Sequence, residues 1–116
     1  MQVKRIVANI AAADPAAARA FYGEVLGLDL VMDLGWINTY GSRQTQSVQI
    51  SVASQGGSET PVPDLSIEVD DVDAAFDRVS RSGFAVEYGP VDEPWGVRRF
   101  YVRDPFGRLV NIVAHL

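Results

Sequence analysis

Short blocks of apolar and polar residues follow one another along the chain, and the first half predicts one helix among four strands. Residues 6–10 form an apolar run that is typical of a strand. Asp14 and Pro15 then pair a capping side chain with a proline, which predicts a helix start. Gly27 predicts the end of that helix, and residues 28–32, 36–40 and 47–52 predict three further strands. The predicted helix has apolar residues at helical spacing: Ala18, Phe21, Tyr22 and Val25.

The second half repeats this order after residues 53–63, whose glycine, serine and proline content is typical of a linker. Residues 65–69 alternate apolar and polar, as a half-buried strand does. Asp71 predicts a helix start and Gly83 its end, and residues 84–88, 97–103 and 109–113 predict strands. We therefore predict one domain over residues 1–116, built from two βαβββ modules at about 1–54 and 64–116.

One helix per module covers one face of each predicted sheet and leaves the other face open. The covered face is assigned the apolar residues of the alternation: Ile6, Ala8, Ile10, Val48, Ile50, Val52, Leu65, Ile67, Val69, Phe100, Val102, Val110 and Ile112. The open face carries two large aromatic side chains, Trp36 and Tyr40. Because such side chains are costly against solvent, they favour a cleft, with a wetted sheet face as the alternative.

The turn at residues 104–107, Asp-Pro-Phe-Gly, joins the last two predicted strands and has the residues of a type I turn closed by a left-handed glycine. Counting outward through this turn places Asp104 opposite Arg108 and Tyr101 opposite Asn111. A slip of one residue would move every side chain of the hairpin to the other face. The turn therefore decides which residues of the hairpin lie on the open face.

Composition and charge exclude several classes of function. Lys plus Arg total 10 against 15 for Asp plus Glu, and the net charge of −5 disfavours nucleic acid and favours cationic ligands. The absence of cysteine excludes disulfides and thiolate chemistry, and the single histidine, His115, has no second histidine with which to bind a metal. No apolar run approaches the ~20 residues of a membrane span, and we expect a cytoplasmic protein.

Three segments resemble the vicinal oxygen chelate superfamily of glyoxalases, bleomycin-resistance proteins and extradiol dioxygenases. They are residues 21–28 (FYGEVLGL), residues 69–75 (VDDVDAA) and the block from Pro-Trp-Gly at 94–96 to the turn at 104–107. The last is closest to the bleomycin-resistance branch, in which Pro-Trp-Gly precedes the same turn. The resemblance covers nearly the whole chain and implies an α+β fold in a homodimer. Its two tandem βαβββ modules form a U-shaped, mostly antiparallel sheet around a cleft, with the helices on the outer face.

Metal enzymes of this superfamily take one ligand from each of four strand positions, which by the resemblance correspond here to Val7, Gln49, Asp64 and Asn111. A catalytic transition metal needs about three imidazole or carboxylate donors that converge on it. Valine donates nothing, neutral amides are poor ligands, and only Asp64 is a strong one. We therefore expect neither a metal nor another cofactor.

These observations predict a metal-free protein that binds a small molecule in the cleft and sequesters it, such as an aromatic or cationic antibiotic. One alternative is an enzyme of the same superfamily: a lyase, isomerase or dioxygenase, with or without a metal, in which Asp64, Glu68 or Asn111 does acid–base work. Another is a dimeric interaction module whose cleft is closed by its own side chains. No catalytic residue is assigned, because no nucleophile paired with a base is recognisable.

The candidate ligand-binding residues belong to the open face and to the loop before the last hairpin: Asn9, Trp36, Asn38, Tyr40, Gln49, Asp64, Glu68, Trp95, Arg99, Tyr101 and Asn111. Trp95 would offer a flat wall to a planar or cationic group, and Asp92 and Glu93 beside it would attract a cation. Arg99, if it points inward, would favour a carboxylate or phosphate on the ligand. The expected partners are a small molecule and a second copy of the chain, and neither nucleic acid nor a membrane.

Overall fold

The computed structural model describes residues 2, 4–47 and 49–116, and these form an α+β fold, as predicted. A helix of two parts comes first, followed by strands β1, β2 and β3, helix α1 and strands β4, β5 and β6. The bounds are Pro15–Ala18 and Arg19–Val25 for the first helix, Asp29–Asp33 for β1, Asn38–Gly41 for β2, Leu65–Glu68 for β3, Val72–Arg81 for α1, Val86–Glu93 for β4, Val97–Arg103 for β5 and Leu109–His115 for β6. Within the described part of the chain, no helix has the length and apolar character needed to cross a bilayer.

The second half forms the βαβββ unit that its pattern predicts. Its sheet has the order β3-β6-β5-β4, in which β3 runs parallel to β6 and the other neighbours are antiparallel. Asp71 caps α1, since its carboxylate accepts a 3.0 Å hydrogen bond from the Ala74 amide. Gly83 follows the helix with φ +81, the left-handed conformation that glycine adopts without strain. The local signals for this helix are therefore confirmed at both ends.

The β5–β6 hairpin has the register that its turn predicts. The Asp104 amide donates to the Arg108 carbonyl at 3.0 Å, and Tyr101 is paired with Asn111. The four apolar residues assigned to the covered face are all fully buried: Phe100, Val102, Val110 and Ile112. The opposite face of the sheet thus carries the polar and aromatic residues of the same strands, as expected from the two-residue period of a strand.

The first helix packs against the same core as α1. Asp14 accepts a hydrogen bond from the Ala16 amide at 3.2 Å, which confirms the predicted start. The helix then begins as a 3-10 turn and widens into a π-helix, in which the Leu26 amide donates to the Phe21 carbonyl five residues earlier. Phe21 is fully buried and meets Phe84 edge to face at 5.1 Å. Both helices therefore cover one face of the four-stranded sheet.

Two strands predicted in the first half are wrong for the described residues. Residues 4–10, 47 and 49–52 adopt no strand, and Val48 lies outside the described residues. Ile50 and Val52 are 74% and 96% exposed, and Ile6 and Ala8 are exposed too, so their assignment to a covered face is corrected. Alternation gives a segment an apolar side, but a strand also needs a hydrogen-bonded neighbour. Among the described residues, the first half supplies only the pair β1–β2.

Candidate functional site

The open face of the four-stranded sheet presents two rows of side chains across neighbouring strands. The first row is Ser66, Asn111, Tyr101 and Tyr88, in the order β3, β6, β5 and β4. The next row places Glu68, Val113 and Arg99 side by side. Four of the predicted ligand-binding residues, Glu68, Arg99, Tyr101 and Asn111, therefore lie on one face.

Arg99 and Glu93 form a buried ion pair on this face. Arg99 is 3% exposed, and its Nη2 lies 2.9 Å from Glu93 Oε2. The Tyr88 hydroxyl donates to Glu93 Oε1 at 2.8 Å, and the Ser58 hydroxyl donates to Oε2 at 2.8 Å. Burial raises the pKa of the Glu93 carboxyl, but these hydrogen bonds and the positive charge of Arg99 outweigh burial and lower the pKa below its usual range. Glu93 is thus held as a carboxylate.

Three aromatic rings surround the Arg99 guanidinium. Its central carbon lies 5.0 Å from the ring of Trp95, 5.0 Å from that of Tyr101 and 5.5 Å from that of Tyr88. These distances are in the range of cation–π contacts. Trp95 lies in the tight turn between β4 and β5 and stays 51% exposed. We call these residues the Arg99 cluster: Tyr88, Glu93, Trp95, Arg99 and Tyr101.

Residues 56–61 of the predicted linker lie directly on the Arg99 cluster. Arg99 Nη1 donates to the Gly56 carbonyl at 2.8 Å, and Nη2 donates to the Gly57 carbonyl at 3.3 Å. The hydroxyls of Thr60 and Tyr101 are hydrogen-bonded at 2.9 Å. A Cβ on Gly57 would lie 2.6 Å from the Trp95 ring, so the Gly57 backbone contacts the indole closely. The segment, which we call the 56–61 loop, therefore closes the cluster from above.

Asn111 and Asp64 have different roles at the edge of this face. Asn111 is 7% exposed; its Nδ2 donates to the Ser66 hydroxyl at 3.1 Å, while its Oδ1 has no partner among the described residues. Asp64 Oδ2 accepts a 2.8 Å hydrogen bond from the Leu109 amide and so fixes the start of β3 against β6. Glu68 is exposed and pairs with His115 at 3.1 Å. Of these residues, Asn111 alone carries a buried polar atom without a partner.

The remaining candidates lie in the first half. Trp36 is 76% exposed, and Asn9 and Gln49 are exposed outside any strand. Asn38 lies in β2 opposite Asp33. Tyr40 packs on Tyr22 of the first helix with ring centres 6.4 Å apart. Within the described part of the chain, no hydrogen bond or ring contact joins any of these five candidates to Arg99.

The four positions that the resemblance associates with a metal do not fit one. Val7 has no donor atom, Gln49 is exposed outside any strand, and Asp64 already holds the Leu109 amide. Asn111 offers a neutral amide, which is a poor ligand for a transition metal. Among the described residues, no group of three or more histidine, aspartate or glutamate side chains is placed to hold a metal ion.

Sequence reasoning missed two members of the Arg99 cluster, Tyr88 and Glu93, and two loop residues that contact it, Ser58 and Thr60. Glu93 was recognised as a charge beside Trp95, but strand β4 was predicted at residues 84–88 and runs to Glu93 instead. The longer strand places Glu93 opposite Val97, beside the turn that carries Trp95. The register of β4 shifts between Tyr88 and Val91, so simple alternation along the strand does not place Glu93 on the face of Tyr88. For Ser58 and Thr60 the local sequence holds no signal, because their contacts are made across the fold.

The sequence model of the Glyoxalase/Bleomycin resistance protein/Dioxygenase superfamily matches residues 3–112. No match was found among curated proteins. Solved structures similar to this chain include TioX from Micromonospora sp. ML1, at 25% identity, 97% coverage of each chain and a TM-score of 0.65.

Two further solved structures are similar in the same way. TnmS3, an antibiotic binding protein from Streptomyces sp. CB03234, is 26% identical over 90% of this chain and 88% of that chain, with a TM-score of 0.66. A superfamily member from Sphaerobacter thermophilus DSM 20745 is 23% identical over 98% of each chain, with a TM-score of 0.71. At that identity the likeness concerns the fold alone.

Proposed function

The chain belongs to the Glyoxalase/Bleomycin resistance protein/Dioxygenase superfamily, and on this basis we propose that it binds a small molecule on the open face of its four-stranded sheet. The observation that carries the proposal is the Arg99 cluster. A guanidinium and a carboxylate are expensive to bury, and their concentration beneath aromatic rings is typical of a functional site. The likeness to an antibiotic binding protein supports an antibiotic as the ligand class. Binding of this kind sequesters the ligand and requires no metal.

The chemistry of the cluster defines the ligand that it would take. The half-exposed indole of Trp95 favours a planar group, which stacks on an aromatic face. The net charge of −5 favours a cation. Arg99 favours a carbonyl or carboxylate oxygen, and the unpartnered Asn111 Oδ1 favours a hydrogen-bond donor. A planar, cationic compound that also carries carbonyl groups meets all of these requirements.

A homodimer is part of the proposal. Ile6, Val7, Ile50 and Val52 lie in segments with the alternation of strands, yet these residues are exposed and outside any strand in the single chain. Exposed apolar surface that carries unpaired backbone is typical of an interface. A second copy would supply neighbouring strands for these segments, and it could bring the first-half candidates, such as Trp36 and Gln49, to the Arg99 cluster of its partner.

The binding proposal is tested by titration. Cationic glycopeptide antibiotics and planar aromatic antibiotics are added to the Trp36→Phe variant, in which Trp95 is the remaining tryptophan. We expect a saturable change in Trp95 fluorescence with at least one compound, and loss of that binding on Arg99→Met. Saturable binding of none of these compounds, checked by calorimetry on the unmodified chain, would contradict the proposal.

Elemental analysis distinguishes the proposed metal-free binding protein from a metal enzyme of the same superfamily. Protein purified without a chelator is expected to contain zinc, nickel, iron and manganese far below one equivalent per chain, because the donor set does not fit a metal. Stoichiometric amounts of any one of them would favour a metal enzyme with an unusual ligand set. The control is the Asp64→Asn variant, which would lose such a metal if Asp64 were a ligand.

A further inference from the structure

We propose that the 56–61 loop is a displaceable lid over the Arg99 cluster, and that a ligand enters by replacing the loop's carbonyl oxygens on Arg99 with its own. This inference rests on the proposed function and adds the route of access and the ligand group that Arg99 recognises. Four features of the structure support it: the contacts of the guanidinium, the position of the indole, the conformation of the loop and two buried atoms without partners.

The contacts between Arg99 and the loop are ones that a ligand can reproduce. Both terminal nitrogens of Arg99 donate to backbone carbonyls, those of Gly56 and Gly57, at 2.8 and 3.3 Å. A ligand carboxylate or pair of carbonyls accepts from the same fork, and a carboxylate does so with a charge-assisted bond. No side chain of the loop is needed for this contact. Exchange of the loop for a ligand therefore keeps the guanidinium hydrogen-bonded.

The loop and a stacked ligand compete for the same indole surface. Two atoms of the Trp95 ring would lie 2.6 and 3.0 Å from a Cβ on Gly57, so the ring lies against the Gly57 backbone. The Arg99 guanidinium carbon lies 5.0 Å from the centre of the same ring, and Arg99 Nη2 donates to the Gly57 carbonyl, so Gly57 contacts both the indole and the guanidinium. A planar ligand held by both Trp95 and Arg99 must therefore displace Gly57.

The closed loop is held in a strained conformation. Ser58 and Glu59 have φ of 50 and 61, although neither is a glycine, and the Thr60 amide donates to the Gly57 carbonyl at 3.0 Å. This is the geometry of a type I′ turn, in which asparagine and glycine are the favoured central residues. Left-handed conformations are unfavourable for other residues, and strain of this kind is concentrated at switching segments. The strain lowers the free energy required to open the loop.

Two buried polar atoms on the open face offer a ligand further hydrogen bonds. Arg99 Nε and Asn111 Oδ1 have no hydrogen-bond partner among the described residues, and the two residues are 3% and 7% exposed. Buried polar atoms without partners destabilise a structure and are rare in proteins. One is a donor and the other an acceptor, so a ligand with complementary groups would satisfy both where the loop does not.

Two substitutions should shift the equilibrium between the closed and the open loop in opposite directions, and each has a matched control. Gly57→Ala places a methyl group against Trp95 and should open the lid. Gly83→Ala is its control, because Gly83 has φ +81 with nothing near its Cβ position and so suffers the same backbone strain away from the site. Glu59→Gly should close the lid more firmly by removing left-handed strain. Glu59→Ala is the second control, since it removes the charge but keeps the strain.

Amide hydrogen exchange measures how often the 56–61 loop opens in the absence of a ligand. The Gly56 amide donates to the Thr60 carbonyl at 2.8 Å, and the Thr60 amide donates to the Gly57 carbonyl at 3.0 Å. Both bonds lie within the loop, so exchange at these amides reports on unfolding of its strained turn, the step by which the lid opens. We expect exchange at these amides to be at least tenfold faster in Gly57→Ala than in Gly83→Ala. We expect it to be about fivefold slower in Glu59→Gly than in Glu59→Ala, the factor that corresponds to relief of one left-handed residue. Equal exchange within both pairs would overturn the proposal, and the second pair stays informative if Gly57→Ala fails to fold.

Competition between the loop and a ligand for the Arg99 cluster is measured with a synthetic peptide of residues 54–61 and with the antibiotics used above. The peptide should shift the Trp95 indole resonance of Gly57→Ala but not that of the unmodified chain, whose own loop is present at a high effective concentration. Any antibiotic that binds should bind about tenfold tighter to Gly57→Ala and more weakly to Glu59→Gly. Equal affinity for all four variants overturns the lid and leaves the proposed function intact. Binding of the peptide to Gly57→Ala without binding of any antibiotic overturns the proposed function and supports the lid.

Discussion

The Tyr22 hydroxyl donates a buried 2.7 Å hydrogen bond to Asp104 across 82 residues of the chain. Asp104 lies in the turn between β5 and β6, where its other carboxylate oxygen accepts from the amides of Phe106 and Arg108 at 2.9 and 2.8 Å. Burial raises the pKa of Tyr22, and the hydrogen bond and negative charge of Asp104 raise it further, so the hydroxyl remains a donor. The Asp104 carboxylate thus holds the first helix against the β5–β6 turn. This turn sets the register of the hairpin and so decides which side chains lie on the open face.

Tyr22→Phe should destabilise the protein by about 2 kcal/mol, because it leaves a buried carboxylate oxygen without its donor. Urea unfolding followed by circular dichroism measures the loss. Tyr40→Phe is the control, since the Tyr40 ring also packs near the core but no hydrogen bond of its hydroxyl is found in the described part of the chain. Equal stability of the two variants would show that the contact with Asp104 contributes nothing.

Arg99→Met should cost about 3 kcal/mol of unfolding free energy, because it leaves the Glu93 carboxylate buried without its partner. Adding Glu93→Gln to that variant should recover part of the loss, since the unpaired charge is then removed. The neighbouring Arg98 pairs with Asp73 and Asp92 at the surface, so Arg98→Met should have a much smaller effect. A double-mutant cycle measured by urea unfolding gives the coupling free energy between Arg99 and Glu93. Additive effects of Arg99→Met and Glu93→Gln would contradict a buried ion pair.

Acid should weaken the protein through Glu93. The pKa of this carboxyl is lower in the folded chain than in the unfolded chain, where it is near 4.5. The unfolded state therefore binds a proton first, and the stabilisation is fully present above about pH 4.5 and is lost as the pH falls through the folded pKa. Unfolding free energies measured between pH 3 and 7 should fall more steeply for the unmodified chain than for Glu93→Gln. Parallel curves would mean that Glu93 is not held as a carboxylate.

The proposed homodimer predicts the behaviour of surface variants. Sedimentation equilibrium should give twice the chain mass for the unmodified protein. Ile50→Lys should shift the protein toward the monomer, because a charge would replace an apolar contact at the interface. Leu116→Lys is the control, since Leu116 is a similarly exposed apolar residue outside the proposed interface. A monomeric unmodified protein, or dissociation by both variants alike, would rule out this interface.

The second half could be predicted because its signals are local. Asp71 and Gly83 fix the ends of α1, and the turn at 104–107 fixes the pairing of Tyr101 with Asn111, whatever the rest of the chain does. In the first half, alternation predicts strands at 6–10 and 47–52, but it does not provide the neighbours that those strands require. Periodicity identifies an apolar side and leaves open what covers it.

The contacts of the 56–61 loop could not be predicted from the sequence for a related reason. The composition of residues 53–63 indicates a linker, but the contact of Gly57 with Trp95 depends on where the chain returns after β4. The positive φ of Ser58 and Glu59 contradicts their local preference and is held by tertiary contacts, among them the hydrogen bond from Ser58 to Glu93. The candidate list therefore contained Trp95, Arg99 and Tyr101 but not the segment that covers them.

Every strand of the four-stranded sheet comes from residues 65–115, so its pairings need nothing from the first half. During synthesis the first half is made before these strands. Phe21 and Tyr22 therefore leave the ribosome before the core residues that bury them. The parallel pairing of Leu65 with Val110 also has to wait for β6, the last strand. We therefore expect the nascent chain to stay unfolded until β6 has been synthesised, with the apolar side of its first helix available to chaperones until then.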